Sequence, residues 1–324
     1  GGKGRFTIAS TGAVTGTIVI GAATYTITTV VNATTTSNEV TIYLPEVKSG
    51  RNPVLQLNAT FDANSLMGGI SSTAGGGSLE GFRNIWSKTS PPPSMGVFNA
   101  LLTPQAGWLT DPAAPHGHSY ASFKVADTGL VSITGRMADG TTTTGSSIFG
   151  PSGEMPLCIP IYANRGSLHG TPVITGTNVS GACSWNKNPD AGGRAYGPGL
   201  NLVDLDVTGS QYVKPDTTLG QRFLGLPATA QNARLKFSDA TLTSALDLPL
   251  TVTDKNTPTY VLPNTYSLYV KIDAATGVVN GTFKVTDPNP IVSGKNVTRT
   301  GIWYGIVIPS QDRAAGFFTL PDLP

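Results

Sequence analysis

Charge is scarce in this chain. Asp, Glu, Lys and Arg together make up 12% of the residues, about half the usual share of roughly 25%. The net charge is +2, and no basic face with interleaved aromatics is present, so nucleic acid is not an expected partner. Only four glutamates occur, Glu39, Glu46, Glu80 and Glu154. That is thin material for the paired carboxylates of a glycoside hydrolase. There are two cysteines and three histidines, with no Cys-x-x-Cys or His-Glu-x-x-His spacing. No Gly-x-Ser-x-Gly elbow is found, and the glycine-rich stretches lie between strand-like segments instead of ahead of helices, which excludes a phosphate- or dinucleotide-binding loop. No apolar run approaches the ~18–20 residues of a spanning helix, and no signal peptide is visible. The chain starts at Gly1-Gly2-Lys3-Gly4 and ends on Leu323-Pro324, and it reads as a processed product or a piece of a longer protein.

Glycine (39), proline (24) and threonine are abundant instead. Apolar residues alternate with polar ones in short runs, and turn residues separate the runs. This predicts an all-β protein of antiparallel sheets, barrel-like or sandwich, with almost no helix. Leu55, Leu57, Ala59 and Phe61 share one strand face, as do Leu246, Leu248, Leu250 and Val252, and Ile302, Tyr304, Ile306 and Ile308. Roughly 18–20 strands are expected at such spacings. Gly68–Gly77 reads as a loop. The parity of Leu200 and Leu202 is opposite to that of Leu205 and Val207, which predicts a bulge near Val203. A short helix is expected around Ala228–Asn232, started by Pro227. Ser90-Pro91-Pro92-Pro93-Ser94 reads as a semi-rigid spacer. It divides the chain into a β-rich region at 1–90, a linker at 91–95 and a barrel-like module at 96–324.

Three segments share a hairpin signature: Phe6-x-Ile8 with Thr11-Gly12 and Gly16, Phe123-x-Val125 with Thr128-Gly129 and Gly135, and Val270-x-Ile272 with Thr276-Gly277 and Gly281. The first Gly supplies positive φ in the turn. The second allows a bend or a close backbone approach within the strand.

Further motifs follow in order: Phe82-Arg83 and Trp86, Gly135-Arg-Met-Ala-Asp-Gly140, Pro160-Ile-Tyr162, Gly166-Ser-Leu-His-Gly170, Cys183-Ser-Trp185-Asn-Lys187, Gly209-Ser-Gln-Tyr212, Asn232-Ala-Arg-Leu235 and Gly316-Phe-Phe-Thr-Leu-Pro321. From about Gly81 onward this order resembles a β-rich module of very large secreted proteins of Verrucomicrobia and Planctomycetes. The resemblance implies an extracellular or cell-surface location and a structural or adhesive role. It implies no reaction, and as partners neighbouring domains or other copies of the chain.

Candidate sites are few. His116-Gly117-His118 with His169 supplies three imidazoles that would suit zinc or copper if the strands brought them together. The plainer reading is a polar loop and a separate hairpin, and no metal or other cofactor is expected. Cys158 and Cys183 would close a loop of about 25 residues as a disulfide, worth roughly 3 kcal/mol. Alternatively they are two buried free thiols. Glu154 lies in a Ser-Gly-Glu turn, and Asp204 and Asp206 share a face opposite leucines, where solvated charges belong. Trp108 and Tyr196 lie in loops and are candidates for a platform under sugar rings, against the alternative that the aromatics plug the core or a barrel end. Asn-x-Ser/Thr sequons occur at Asn32, Asn58, Asn178, Asn280 and Asn296 and carry little meaning in a bacterial protein. The expected role is a non-catalytic structural or adhesive module, with a glycan- or small-ligand-binding module as the alternative.

Overall fold

A computed structural model describes residues 2–20, 23–30, 39–44, 55–61, 63–72, 75–190 and 195–324. Glu46, the Asn32 sequon and part of the glycine-rich stretch 190–199 lie outside them. The described chain is all-β, and every strand pairing is antiparallel. Helix is confined to single 3-10 turns at Ala106–Trp108, Thr217–Leu219, Phe223–Gly225 and Pro309–Gln311. Among the described residues no helix is long and apolar enough to cross a membrane.

Two small sheets open the chain. The first holds β1 (Gly2–Ile8), β2 (Ala13–Ile20) and β3 (Ala23–Val30). The second holds β4 (Glu39–Leu44), β5 (Leu55–Phe61), β6 (Ser65–Ser72) and β7 (Gly75–Phe82). Their shared core is Val14, Ile18, Tyr25, Ile27 and Leu57. The loop expected at Gly68–Gly77 is replaced by most of the β6–β7 hairpin. Its glycines hide the strand alternation, but they are needed there. A Cβ on Gly68 would run into the Asn58 carbonyl on β5, and one on Gly76 into the Ile70 carbonyl on β6.

The central sheet holds β8 (Gly96–Pro104), β9 (Ser119–Val125), β10 (Leu130–Arg136), β11 (Thr142–Ile148), β12 (Leu157–Ile161), β13 (Gly166–Gly170), β14 (Val173–Thr175), β15 (Asn178–Lys187) and β16 (Leu200–Tyr212). The order is β11-β10-β9-β8-β16-β15-β13-β12, with β14 beside β15. The sheet curls until its ends meet in a near-closed barrel. At the seam, Ser147 Oγ on β11 donates to the Pro156 carbonyl at 2.7 Å, and Gly145 leaves room for the Ile159 side chain of β12. No backbone ladder joins the two strands. Side chains fill the interior, among them Phe98, Phe123, Ile133, Ile159, Leu168, Trp185 and Leu205. Burying each of the large ones contributes about 1.5–3 kcal/mol. The parity break in β16 is a bulge: the register shifts between Trp185↔Val203 and Lys187↔Leu200, and Leu202 points to solvent with φ 29.

The last third forms two sheets. One holds β17 (Ala233–Phe237), β18 (Leu246–Val252) and β19 (Pro258–Tyr260), and the other holds β20 (Tyr269–Asp273), β21 (Val278–Pro288), β22 (Asn296–Ile308) and β23 (Arg313–Thr319). They share a core in which Phe237 stacks on Phe283 at 4.4 Å and Trp303 meets Phe237 edge-on. The helix expected at Ala228–Asn232 is absent. Gln231 has φ 53, and the Asn232 side chain bonds the backbone of Pro227 and Val252. This is the competition between Asn side chains and helical hydrogen bonds.

Two of the three signature hairpins make contacts beyond their own strands. Gly12, Gly129 and Gly277 all have positive φ, at 81°, 74° and 77°. The turns at 9–13 and 126–130 share one hydrogen-bond pattern, that of a three-residue loop closed by a left-handed glycine. The Thr128 carbonyl accepts from Asn84 Nδ2 at 3.1 Å, and the Thr276 carbonyl from Asn99 Nδ2 at 3.0 Å. Gly129 sits against Trp86, and Gly277 against Tyr212. Trp86 also donates to the Gly150 carbonyl at 3.3 Å. Within the proline run, Pro92 and Ser94 are buried, and Ser94 Oγ donates to the Gly176 carbonyl at 2.9 Å.

The C-terminal sheets hold a buried ion pair. Arg299 bonds Asp287 at 2.8 and 2.9 Å and also reaches Thr241 and the Pro321 carbonyl. Both side chains are nearly inaccessible, at 2% and 9%. Removing one partner of such a pair strands the other charge. Arg299→Ala is therefore expected to lower unfolding free energy by about 3–5 kcal/mol in a denaturant titration. A loss under about 1 kcal/mol would refute this account, because that is the scale of an exposed pair. Gly277→Ala should cost about 1–3 kcal/mol, since the position combines positive φ with close contact to Asn99 and Tyr212.

Candidate functional site

Four connections lie at one end of the barrel. They are the loop from β8 to β9, the turn from β10 to β11, the turn from β12 to β13, and the chain from β15 to β16. Antiparallel order alone brings them together. Each contributes a residue to this mouth.

The centre of the mouth is polar and buried. Asp139, in the β10–β11 turn, has a side chain only 1% exposed. Its Oδ1 accepts the Thr141 backbone N–H at 3.0 Å, and its Oδ2 accepts the Tyr162 hydroxyl at 2.6 Å. Tyr162 in turn accepts from Trp185 Nε1 at 3.1 Å. Lys187 follows Cys183 and Trp185 on the inward face of β15. Its Nζ lies 3.6 Å from Asp139 Oδ2, donates to the Ala195 carbonyl at 2.6 Å and stands 4.9 Å from the Tyr162 ring centre. Burial, then the Asp139 carboxylate, pushes the Tyr162 hydroxyl well above its ordinary range. Tyr162 therefore remains a hydrogen-bond donor at any physiological pH.

Trp108 and Tyr196 lie at this same end. Trp108 ends the 3-10 turn that follows β8, and Tyr196 is held at φ 51 in the approach to β16. Each ring is half-buried against the barrel core. Burial raises the Tyr196 hydroxyl, and Asp139 and Asp239 add to the effect.

The three histidines are dispersed. His116 faces Asp239 at 3.2 Å and the Asp111 carbonyl at 3.1 Å. His118 Nδ1 meets Thr103 Oγ1 at 3.0 Å, and its backbone N–H donates to Gly316. His169 stands on β13, and three strands separate β13 from β9 in the sheet. At about 4.8 Å per strand, one ion cannot bridge His118 and His169. Among the described residues no group of three His, Cys, Asp or Glu side chains could hold a metal ion. His169 Nδ1 is buried and finds no hydrogen-bond partner among the described residues.

The disulfide between Cys158 and Cys183 does not form, and both thiols are free. Cys183 points into the barrel with Trp185. Cys158 falls between the inward Leu157 and Ile159 and so faces outward. Strand β13 also lies between their two strands. Opposite faces of one wall cannot be bridged without moving backbone. Burial pushes the Cys183 thiol up to about 12 and raises Cys158 as well. The remaining carboxylates are in local use: Glu154 Oε2 accepts the Ser152 N–H at 2.8 Å, and Asp204 Oδ1 accepts from Ser184 Oγ at 2.9 Å.

Asp139, Tyr162 and Lys187 were missed as a group by sequence reasoning. One signal was available. Lys187 has the parity of Cys183 and Trp185, so a lysine was being directed into the core. Comparison with known protein families, curated proteins and solved structures finds no match to this chain.

Two measurements follow. In denaturant without reductant, both cysteines should titrate with a thiol reagent; in the folded protein Cys183 should not react. Finding no free thiol in denaturant would contradict the opposite-face geometry. The second concerns His118, whose pKa is lowered from 6.5 by burial and then by Arg313. The unfolded chain then binds the extra proton first as pH falls. Stability should be full above about pH 7 and decline as pH drops through 6.5 and below. His118→Gln should flatten that part of the stability–pH curve.

Proposed function

We propose that this chain is a structural module of a larger β-rich assembly at the cell surface or outside the cell, and that it transmits force between neighbours without catalysing a reaction. The observation that carries this reading is the serial joining of its units. Strand β8 is buried on both faces. Phe98, Ala100 and Leu102 pack into the barrel, while Leu101 packs against Ile306, Ile308 and Phe317 of the C-terminal sheet. Polar bonds reinforce the joint: Asn99 to Thr276, Tyr212 Oη to the Ala274 carbonyl at 2.7 Å, and the Ser310 N–H to Ser210 Oγ at 3.0 Å. The placement outside the cell rests on the resemblance of its motif order, from about Gly81 onward, to modules of large secreted proteins.

A second reading, glycan binding, draws on Trp108 and Tyr196 standing at the same barrel end. Both rings are half-buried against the barrel core, which reduces the surface they could offer to a sugar, so the structural reading is preferred.

Single-molecule extension tests the choice. A structural joint predicts that barrel and C-terminal sheets unfold in one event, and that Gly277→Ala splits it into two events at lower force. Separate events in the unaltered protein would sink the idea. A glycan array that lights up with the unaltered chain and goes dark with Trp108→Ala and Tyr196→Ala would establish the second reading.

A further inference from the structure

We propose that Asp139 and Lys187 condense to an intramolecular isopeptide bond that staples the barrel mouth. This goes beyond the structural role and stands independently of it; the bond forms or fails to form whatever the module does in its assembly.

The geometry is that of reactants held together. Lys187 Nζ lies 3.6 Å from Asp139 Oδ2, with side-chain exposures of 9% and 1%. This ion-pair contact sets the amine beside the carboxyl group whose carbon it would attack, so the two reactants need not find each other by diffusion. The Tyr162 ring lies under the Lys187 amine at 4.9 Å, and Trp185 Nε1 holds the Tyr162 hydroxyl in place at 3.1 Å. An ion pair in such a place is costly, because both charges have left water. Condensation removes both charges at once.

The step balances without any co-reactant. The Lys187 ammonium passes one proton to the Asp139 carboxylate, leaving a neutral amine beside a carboxylic acid. The nitrogen attacks Cγ, the bond from Cγ to the hydroxyl oxygen breaks, and the nitrogen gives up one more proton. One amide and one water result, and nothing is oxidised or reduced. Tyr162 donates its hydrogen bond to Asp139 Oδ2 at 2.6 Å. It thereby polarises the carboxyl group and stabilises charge on that oxygen as the nitrogen adds, which makes it the catalytic residue of the step. Thr141 N–H fixes the other carboxyl oxygen, and the Ala195 carbonyl orients the amine.

The position of the bond gives it a purpose. Asp139 precedes β11 and Lys187 ends β15, so the staple spans β12, β13 and the seam where the barrel has no ladder. A covalent link there would stop the cylinder from opening.

Intact mass under denaturing conditions tests the proposal. The purified chain is expected to be lighter than its sequence mass by one water, and Lys187→Arg to have full mass. A tryptic digest should contain one branched peptide joining the segments that carry Asp139 and Lys187. Full mass for the unaltered chain, after prolonged incubation at neutral pH, overturns the proposal. So does a water loss that persists in Lys187→Arg, because Asp139-Gly140 can lose water alone by closing to a succinimide. Asp139→Asn, if it folds, should lose one ammonia and yield the same branched peptide. Tyr162→Phe should slow the appearance of the lighter species at least tenfold; an unchanged rate would remove Tyr162 from the mechanism. Failure of the bond leaves the joint at β8 and the structural reading as they stand.

Discussion

Strand β8 is the constraint on which the rest depends. A strand covered on both faces must be apolar almost continuously, and Val97-Phe98-Asn99-Ala100-Leu101-Leu102 meets that demand with one exception. Asn99 is fully buried, so its amide needs partners in whatever lies above the barrel. Nδ2 finds the Thr276 carbonyl, while Oδ1 has no hydrogen-bond partner among the described residues. An unpaired buried oxygen costs about 1–3 kcal/mol. The joint bears that cost because the amide fixes one docking register for the C-terminal hairpin, and apolar contacts alone would tolerate sliding. Asn99 also pairs in the ladder with Ser122 and Ser210, so neighbouring strands must be in place before the hairpin can seat. Such distant pairings imply slow folding relative to a helical chain of equal stability.

Glycine does two separate jobs, and the fold needs both. At Gly129 and Gly277 it supplies a left-handed turn that also presses against a side-chain amide and an aromatic ring. At Gly16, Gly135 and Gly281 the backbone is ordinary, and a Cβ would strike the carbonyl of the neighbouring strand. Scarce charge fits the same design. With little polar surface to spend, closure of the sheet and mutual covering of faces hide strand edges that would otherwise recruit other chains.

Much of this was legible in the chain. Alternation at Leu246–Val252 marked a strand because one face meets a core; at Ile302–Ile308 it marked a strand whose two faces meet different cores, Trp303 and Val307 on one side and Ile306 and Ile308 on the other. The Thr-Gly turns were legible because positive φ leaves a compositional trace, and the parity switch around Leu202 exposed the bulge. Other features left no trace. The β6–β7 hairpin hid behind its glycines. Asn232 looked helical because the backbone groups it captures are set by tertiary contacts. The cysteines looked like a pair because spacing carries no information about which side of a wall each one faces. Asp139 and Tyr162 come from two different turns and Lys187 from the end of β15, and only the sheet order joins them. The mouth was therefore invisible as a group, although Lys187 alone showed its inward parity.

The seam between β11 and β12 makes the barrel, topologically, a rolled sheet. Its backbone amides on that line lack the ladder that joins the other neighbouring strands along the described sheet order. Deuterium from solvent should therefore enter the cylinder along one meridian first, and high pressure, which favours hydrated states, would open it there before any ladder broke. A rolled sheet held by side chains along one line can change its circumference slightly without losing a backbone hydrogen bond. A fully laddered barrel has no such freedom, so the seam is the line along which this cylinder's girth can give.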